Sequence, residues 1–243
     1  MPLSPDWFER LAMLHLHKGP GPMLDLAGAM TAKAVNTAIK LRIFEALEQE
    51  ALAPADLAVR CGADPRGITL LLEALESSGY LRSSDGVWAL TTMSRVWLLP
   101  SSPRYIGGVF AYIDDAMRRW DYLDESIRAG APPRTGREWM DGREGAWDRY
   151  QAGMCGLARL VGPEVVSRTP LRRRTRRLLD IGGGHGLYAV LFCRRYPDLR
   201  ATVLDLPQCR TAALETIAAA GMERRVEFQH GDFHGTRQRQ ALL

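Results

Sequence analysis

Leu178-Leu179-Asp180-Ile181-Gly182-Gly183-Gly184-His185-Gly186-Leu187 decides the fold of this chain. A short apolar run at 178–181 meets a turn rich in glycine, and a helical apolar pattern follows over 187–195. That order predicts a strand turning sharply into a helix, with side-chain-free positions at the turn. Further along, 201–204 reads as a strand, 207–220 as a helix and 226–229 as a strand. Alternation of this kind predicts a doubly wound, mostly parallel α/β sheet.

A glycine-rich turn alone is weak evidence of a ligand site, because unrelated loops and tight strand–helix packing also use one. Two later carboxylates sharpen it. Asp205 ends the second strand, from which an acid can accept hydrogen bonds from both hydroxyls of a ribose. Asp232 follows the third strand, where a carboxylate can take an adenine amino proton and the ring of Phe233 can pack on the base. Successive strand ends form one crevice, so the three segments together predict an adenosine-type ligand.

The choice between a dinucleotide and a sulfonium cofactor turns on two details. Asp180 directly precedes the glycines, where it suits a cationic amino group and would repel a pyrophosphate. The spacing Gly182-x-Gly184-x-Gly186 also departs from the dinucleotide G-x-G-x-x-G pattern. S-Adenosyl-L-methionine is therefore the expected cofactor, with Asp180, Gly182, Gly184, Asp205, Asp232 and Phe233 around it.

Upstream, apolar residues at Val35, Ala38, Ile39, Ile43, Phe44 and Leu47 predict an amphipathic helix over 31–49. Two short helices follow at 53–60 and 65–78, with Gly62 placed to stop one and Asp64 to cap the next. Tyr80-Leu81-Arg82 and Val87-Trp88-Ala89-Leu90 flank Ser83-Ser84-Asp85-Gly86, a strong hairpin signal. Helix-turn-helix plus hairpin predicts a winged helix over 1–106. From 107 to 170 the pattern is helical, broken by Gly130-Ala131-Pro132-Pro133-Arg134-Thr135-Gly136, and 171–243 forms the cofactor domain.

Composition sets bounds without deciding function. The 243 residues are 46% hydrophobic and 25% charged, as in ordinary globular proteins. No stretch resembles a secretory signal or a membrane span, which predicts a cytoplasmic protein without membrane partners. The four cysteines, Cys61, Cys155, Cys193 and Cys209, lack metal-ligand or redox spacing, so no metal is expected. The net charge of +4 comes with 29 Arg and 3 Lys, a skew that GC-rich coding produces without selection for nucleic-acid binding.

Leu178–Gly186, Ala201-Thr202-Val203-Leu204-Asp205-Leu206-Pro207 and Arg225–Phe233, in this order behind a winged helix, resemble the winged-helix O-methyltransferases of plants and bacteria. The resemblance runs from about Met23 to Phe233. It implies methyl transfer from S-adenosylmethionine to a hydroxyl of a phenolic or polyketide-like metabolite. It also implies a homodimer made by the N-terminal region, a cofactor contact at Leu206 beside Asp205, and a pocket lined from the helical connector. Trp120, Tyr122, Tyr150 and Met154 are the candidates for that pocket.

The resemblance further implies a histidine base in a His-Asp-Trp context beyond a fourth strand. The histidines stand at 15, 17, 185, 230 and 234, none in that context, and no tryptophan follows Trp147. Ten residues follow Phe233, whereas a full domain of this type would continue through further strands. The expectation is therefore an incomplete domain with no catalytic residue of its own, whose sheet leaves one strand edge and apolar faces uncovered. Two alternatives accompany it: an inactive truncated homologue, and a winged-helix DNA-binding regulator. Against the second, the would-be recognition helix 65–78 carries one arginine, two glutamates and a dense apolar face.

Overall fold

Several element boundaries in the N-terminal half trace to a local signal. In the computed structural model, which describes residues 6–16, 18 and 20–232, the chain forms two compact units, Met1–Phe110 and Ala111–Leu243. The first contains α1 (Trp7–Leu14), α2 (Pro22–Lys40), α3 (Ile43–Ala46), α4 (Pro54–Cys61), α5 (Pro65–Ser77), β1 (Leu81–Ser84), β2 (Val87–Leu90) and α6 (Thr92–Trp97). Proline occupies the first helical position of α4 and of α5, where its missing N–H costs nothing. Gly62 closes α4 in the left-handed region, and the Asp64 carboxylate accepts the Gly67 N–H at 3.0 Å to open α5.

The wing is tighter than the sequence implies. Ser83 and Ser84 belong to β1, and the turn is Asp85-Gly86 alone, with φ of 52° and 79°. Positive φ at both central residues is the two-residue geometry that matches the twist of a hairpin. The helix expected over 31–49 starts earlier and breaks: α2 runs from Pro22 to Lys40, and Arg42 at φ 58° turns the chain before α3. That break leaves Ile43, Phe44 and Leu47 fully buried with Val35, Leu57, Ile68, Leu72 and Leu75 in one core.

The second unit continues from α7 (Gly107–Trp120), whose first turn lies in the first unit, through α8 (Leu123–Ala129), α9 (Gly136–Asp141) and α10 (Ala146–Arg168). Its sheet is β3 (Arg177–Ile181), β4 (Arg200–Asp205) and β5 (Val226–His230), with α11 (Leu187–Arg195) and α12 (Arg210–Ala219) as crossovers. All neighbours pair in parallel, in the order β3-β4-β5. The helix expected over 207–220 opens with a separate 3-10 turn, Pro207–Cys209.

Period-two alternation sorts the strand residues. Leu178, Ala201, Val203, Val226 and Phe228 pack with Ala189, Val190, Phe192 and Cys193 of α11 and Ile217 of α12. Leu179 and Ile181 point the other way and are 40% and 52% exposed. Among the described residues β3 pairs only with β4, so its far edge is open. The 23-residue α10 lies against α11, and Gly162 makes the approach close: a Cβ there would meet Leu191 Cδ1 at 2.5 Å.

Candidate functional site

The turn between β3 and α11 is held by hydrogen bonds to the neighbouring strand and within itself. Gly182 N–H donates to the Leu204 carbonyl at 2.8 Å, and Gly186 N–H to the Gly183 carbonyl at 2.8 Å. Gly182, Gly184 and Gly186 take φ of 73°, 48° and 72°, values that carry a steric penalty for any side chain. Of the four glycines only Gly182 is exposed, whereas Gly183, Gly184 and Gly186 are buried. Most of this turn is therefore kept free of side chains by the protein's own packing. A Cβ at Gly183 would sit 2.6 Å from Asp180 Cγ, and one at Gly184 would sit 2.7 Å from Gln151 Oε1.

Asp205 is the hub. Its Oδ2 accepts the Gly184 N–H at 2.7 Å, its Oδ1 accepts the Leu206 N–H at 2.7 Å, and its backbone carbonyl accepts Gly231 N–H at 2.8 Å. One acid thus ties together the glycine turn, the predicted residue Leu206 and the chain entering Asp232. Asp232 is partly buried, and its carboxylate pairs with Arg137 of α9 at 3.3 Å. Phe233, also predicted for this site, and His234 lie outside the described residues.

Asp180 lies beneath the turn. Burial pushes its carboxyl above the ordinary value, opposed by a hydrogen bond from the Ala189 backbone, with the Asp205 charge adding to the rise. Its Oδ2 is buried and makes no hydrogen bond among the described residues. A buried carboxylate oxygen without a partner is costly, and it marks a place that a donor from a ligand would relieve.

Three residues to which the sequence reading gave no role, His185 within the turn, Gln151 of α10 and Cys209 of the 3-10 segment, hold the turn in place. His185 is buried, its Nδ1 accepts the Leu187 N–H at 3.1 Å, and it hydrogen-bonds the Met154 backbone. Burial holds this imidazole down to about 4, so it is neutral at physiological pH. Gln151 is buried against Gly184 and donates from Nε2 to Cys209 Sγ at 3.0 Å. The Cys209 thiol is pushed up to about 12 by burial first and then by the Asp205 charge, so it stays protonated. His185 lies inside the glycine motif, where a cue existed. Gln151 stands far upstream and carried none.

The four connector residues proposed for the substrate side separate. Tyr150 lines a cavity of about 240 Å³ together with Tyr112, Ala116, Trp139 and Met140. Its ring meets Tyr112 edge to face, with centroids 5.4 Å apart. Burial raises its phenol above the ordinary value, so it remains protonated. Trp120 and Tyr122 instead line a neighbouring groove with Leu123, Pro132 and Pro133. Met154 is half-buried on α10 beside His185. The cavity adjoins both carboxylates of the crevice: Tyr150 feels the Asp205 charge, and Arg137 both lines the cavity and binds Asp232.

This arrangement accords with comparisons to known proteins. Residues 24–100 match the O-methyltransferase dimerisation domain, and residues 135–241 match the O-methyltransferase domain. The chain belongs to the O-methyltransferase family. A 3-hydroxy-5-methyl-1-naphthoate 3-O-methyltransferase of Streptomyces sahachiroi is 31% identical over 88% of the chain and 63% of the relative. A tetracenomycin polyketide synthesis 8-O-methyl transferase of Streptomyces glaucescens is 28% identical over 90% of the chain and 66% of the relative. The chain thus spans just under two thirds of the length of these curated relatives. Human N-acetylserotonin methyltransferase, solved with its methyl donor, shares the fold with a TM-score of 0.75 at 23% identity, covering 97% of this chain and 69% of that one.

Proposed function

We propose that this family member binds S-adenosylmethionine in the crevice formed by the glycine turn, Asp205 and Asp232, and transfers its methyl group to a hydroxyl of a small aromatic metabolite. The observation that carries this reading is the convergence of Asp180, Asp205 and Asp232 at successive strand ends beside an aromatic cavity. The residues fit the group. Asp180 offers an unpartnered buried oxygen for a cationic amino group, directly or through water. Asp205 is partly exposed and keeps lone pairs for ribose hydroxyls, while Asp232 and Phe233 are assigned the adenine side.

Bound there, S-adenosylmethionine supplies an electrophilic methyl group. The chain's own contribution is placement: the hydrogen bonds from Gly184 and Leu206 fix the Asp205 carboxylate, and α10 holds the turn still through Gln151 and His185. The cavity wall, led by Tyr150 and Tyr112, orients a planar acceptor. Neither Tyr150 nor His185 suits the role of proton acceptor. The first is held protonated, and the second is buried with its Nδ1 already occupied.

The polyketide and naphthoate relatives support an acceptor in secondary metabolism. Exposed Trp7, Phe8, Met23, Leu26 and Met30 on the first two helices support homodimerisation through the N-terminal unit. No described helix is long and apolar enough to cross a membrane.

Calorimetric titration with S-adenosylhomocysteine tests the donor site directly. Saturable binding is expected, and Asp205→Ala should weaken it about ten- to hundredfold, the range for losing hydrogen bonds to a charged group. Unchanged affinity in a variant shown by circular dichroism to be folded would reject the assignment.

A further inference from the structure

The cavity beside Asp205 carries a charge that its walls do not balance. Asp115 is held by Arg143 at 3.3 Å and by Arg149. Arg137 is engaged by Asp232 at 3.3 Å and by Asp141 at 3.8 Å. Arg119 is different. It is half-buried in the cavity wall, has no carboxylate within ion-pair distance among the described residues, and makes one long contact, to the Tyr112 hydroxyl at 3.5 Å. A guanidinium partly withdrawn from water without a counter-ion carries a cost that a ligand relieves when it brings the anion.

The remainder of the wall narrows the ligand's chemistry. Tyr112 and Tyr150 form an edge-to-face corner that accepts a flat ring. At about 240 Å³ the space falls below the roughly 300–1,000 Å³ of pockets for drug-sized ligands, which suits one or two rings.

We infer that the acceptor is a hydroxylated aromatic carboxylic acid, its carboxylate bound by Arg119 and its ring held in the Tyr112–Tyr150 corner. This rests on reading the cavity as the acceptor site of the proposed methyl transfer and names the substrate class for it. The planar fork of Arg119 matches a carboxylate with two parallel hydrogen bonds, which a lysine cannot reproduce. Arg119 is thereby a specificity residue: it selects the acid over the uncharged phenol and fixes which hydroxyl is presented.

The test compares 3-hydroxy-2-naphthoic acid, its methyl ester and 2-naphthol by calorimetry, with and without S-adenosylhomocysteine. The intact chain should bind the acid at least tenfold more tightly than either neutral compound, with a preference that shrinks as salt is raised. Arg119→Gln should erase that preference by lowering the affinity for the acid to that for 2-naphthol, and Arg119→Lys should restore only part of it. Equal binding of acid, ester and naphthol by the unaltered chain overturns the inference without needing any variant. So does an Arg119→Gln protein that loses all three ligands alike, because Arg119 would then only shape the cavity. Absence of S-adenosylhomocysteine binding would reject the donor site instead, and the acid-against-naphthol comparison made without it still decides the role of Arg119.

Discussion

Asp180 illustrates how a residue proposed to bind a ligand can weaken the protein that carries it. Its carboxyl is buried, one oxygen lacks a partner, and its ionised form is disfavoured by desolvation and by Asp205. Raised above its unfolded value, this acid contributes most at low pH, and its contribution is lost as pH rises through the folded value. Asp180→Asn removes the desolvated charge, so the ligand-free chain should melt at an equal or higher temperature at neutral pH. The same change should weaken S-adenosylhomocysteine binding about tenfold or more, the range for a charge-assisted hydrogen bond. A lower melting temperature together with unchanged affinity would make Asp180 a purely structural acid. Arg119 is the matching case in the cavity proposed for the acceptor, a half-buried charge with no carboxylate partner among the described residues.

At the scale of elements, what was legible followed local chemistry. Gly62 with Asp64, Asp85 with Gly86, and the glycine turn each carry their conformational reason within a few residues, and helix ends, hairpin and strand-to-helix turn stand where those signals put them. The break at Arg42 was not legible, because a positive φ at a residue other than glycine is imposed by burying Ile43 and Phe44 and has no side-chain signature. Gln151, Arg119 and Tyr112 were missed for a related reason: only tertiary packing brings them to the turn or to the cavity. Packing also separates two glycines that look alike in sequence. At Gly162 of α10 an added methyl would crowd the end of the Leu191 side chain, which can rotate away, with Tyr188 Cε1 at an ordinary 3.8 Å, and the roughly 0.5–1 kcal/mol of helix propensity that alanine gains is offset by its contact with the ring of Pro163. Gly162→Ala should therefore leave stability within about 1 kcal/mol of the parent. At Gly183 the methyl would meet Asp180 Cγ at 2.6 Å and Val203 Cγ1 at 2.9 Å, both fixed by the sheet. Gly183→Ala should cost about 1–3 kcal/mol in chemical denaturation and abolish S-adenosylhomocysteine binding. Equal effects of the two substitutions would refute this distinction.

For the molecule as a whole, acid should act on one unit and spare the other. Among the described residues, the buried polar ones of the first unit are Asn36, Ser78 and Ser94, none of which titrates, whereas the second unit buries His185. The folded value of about 4 for this imidazole lies below its ordinary value of 6.5. Above pH 6.5 both folded and unfolded forms are neutral, and the histidine contributes its full share to stability. Between 6.5 and about 4 only the unfolded chain takes up the proton, so stability drains away with falling pH; below that the folded form is protonated too and the loss is complete. The total is about 3 kcal/mol to order of magnitude, confined to the second unit. Thermal unfolding followed by calorimetry should show a transition that moves to lower temperature from pH 7 to pH 4.5, while the transition of the first unit stays nearly fixed. Affinity for S-adenosylhomocysteine should fall over the same window, because His185 ties the glycine turn to α10. His185→Gln, which does not titrate, should flatten both pH dependences; if the acid-sensitive transition persists in that variant, a different group is responsible and His185 is not the lock on the turn.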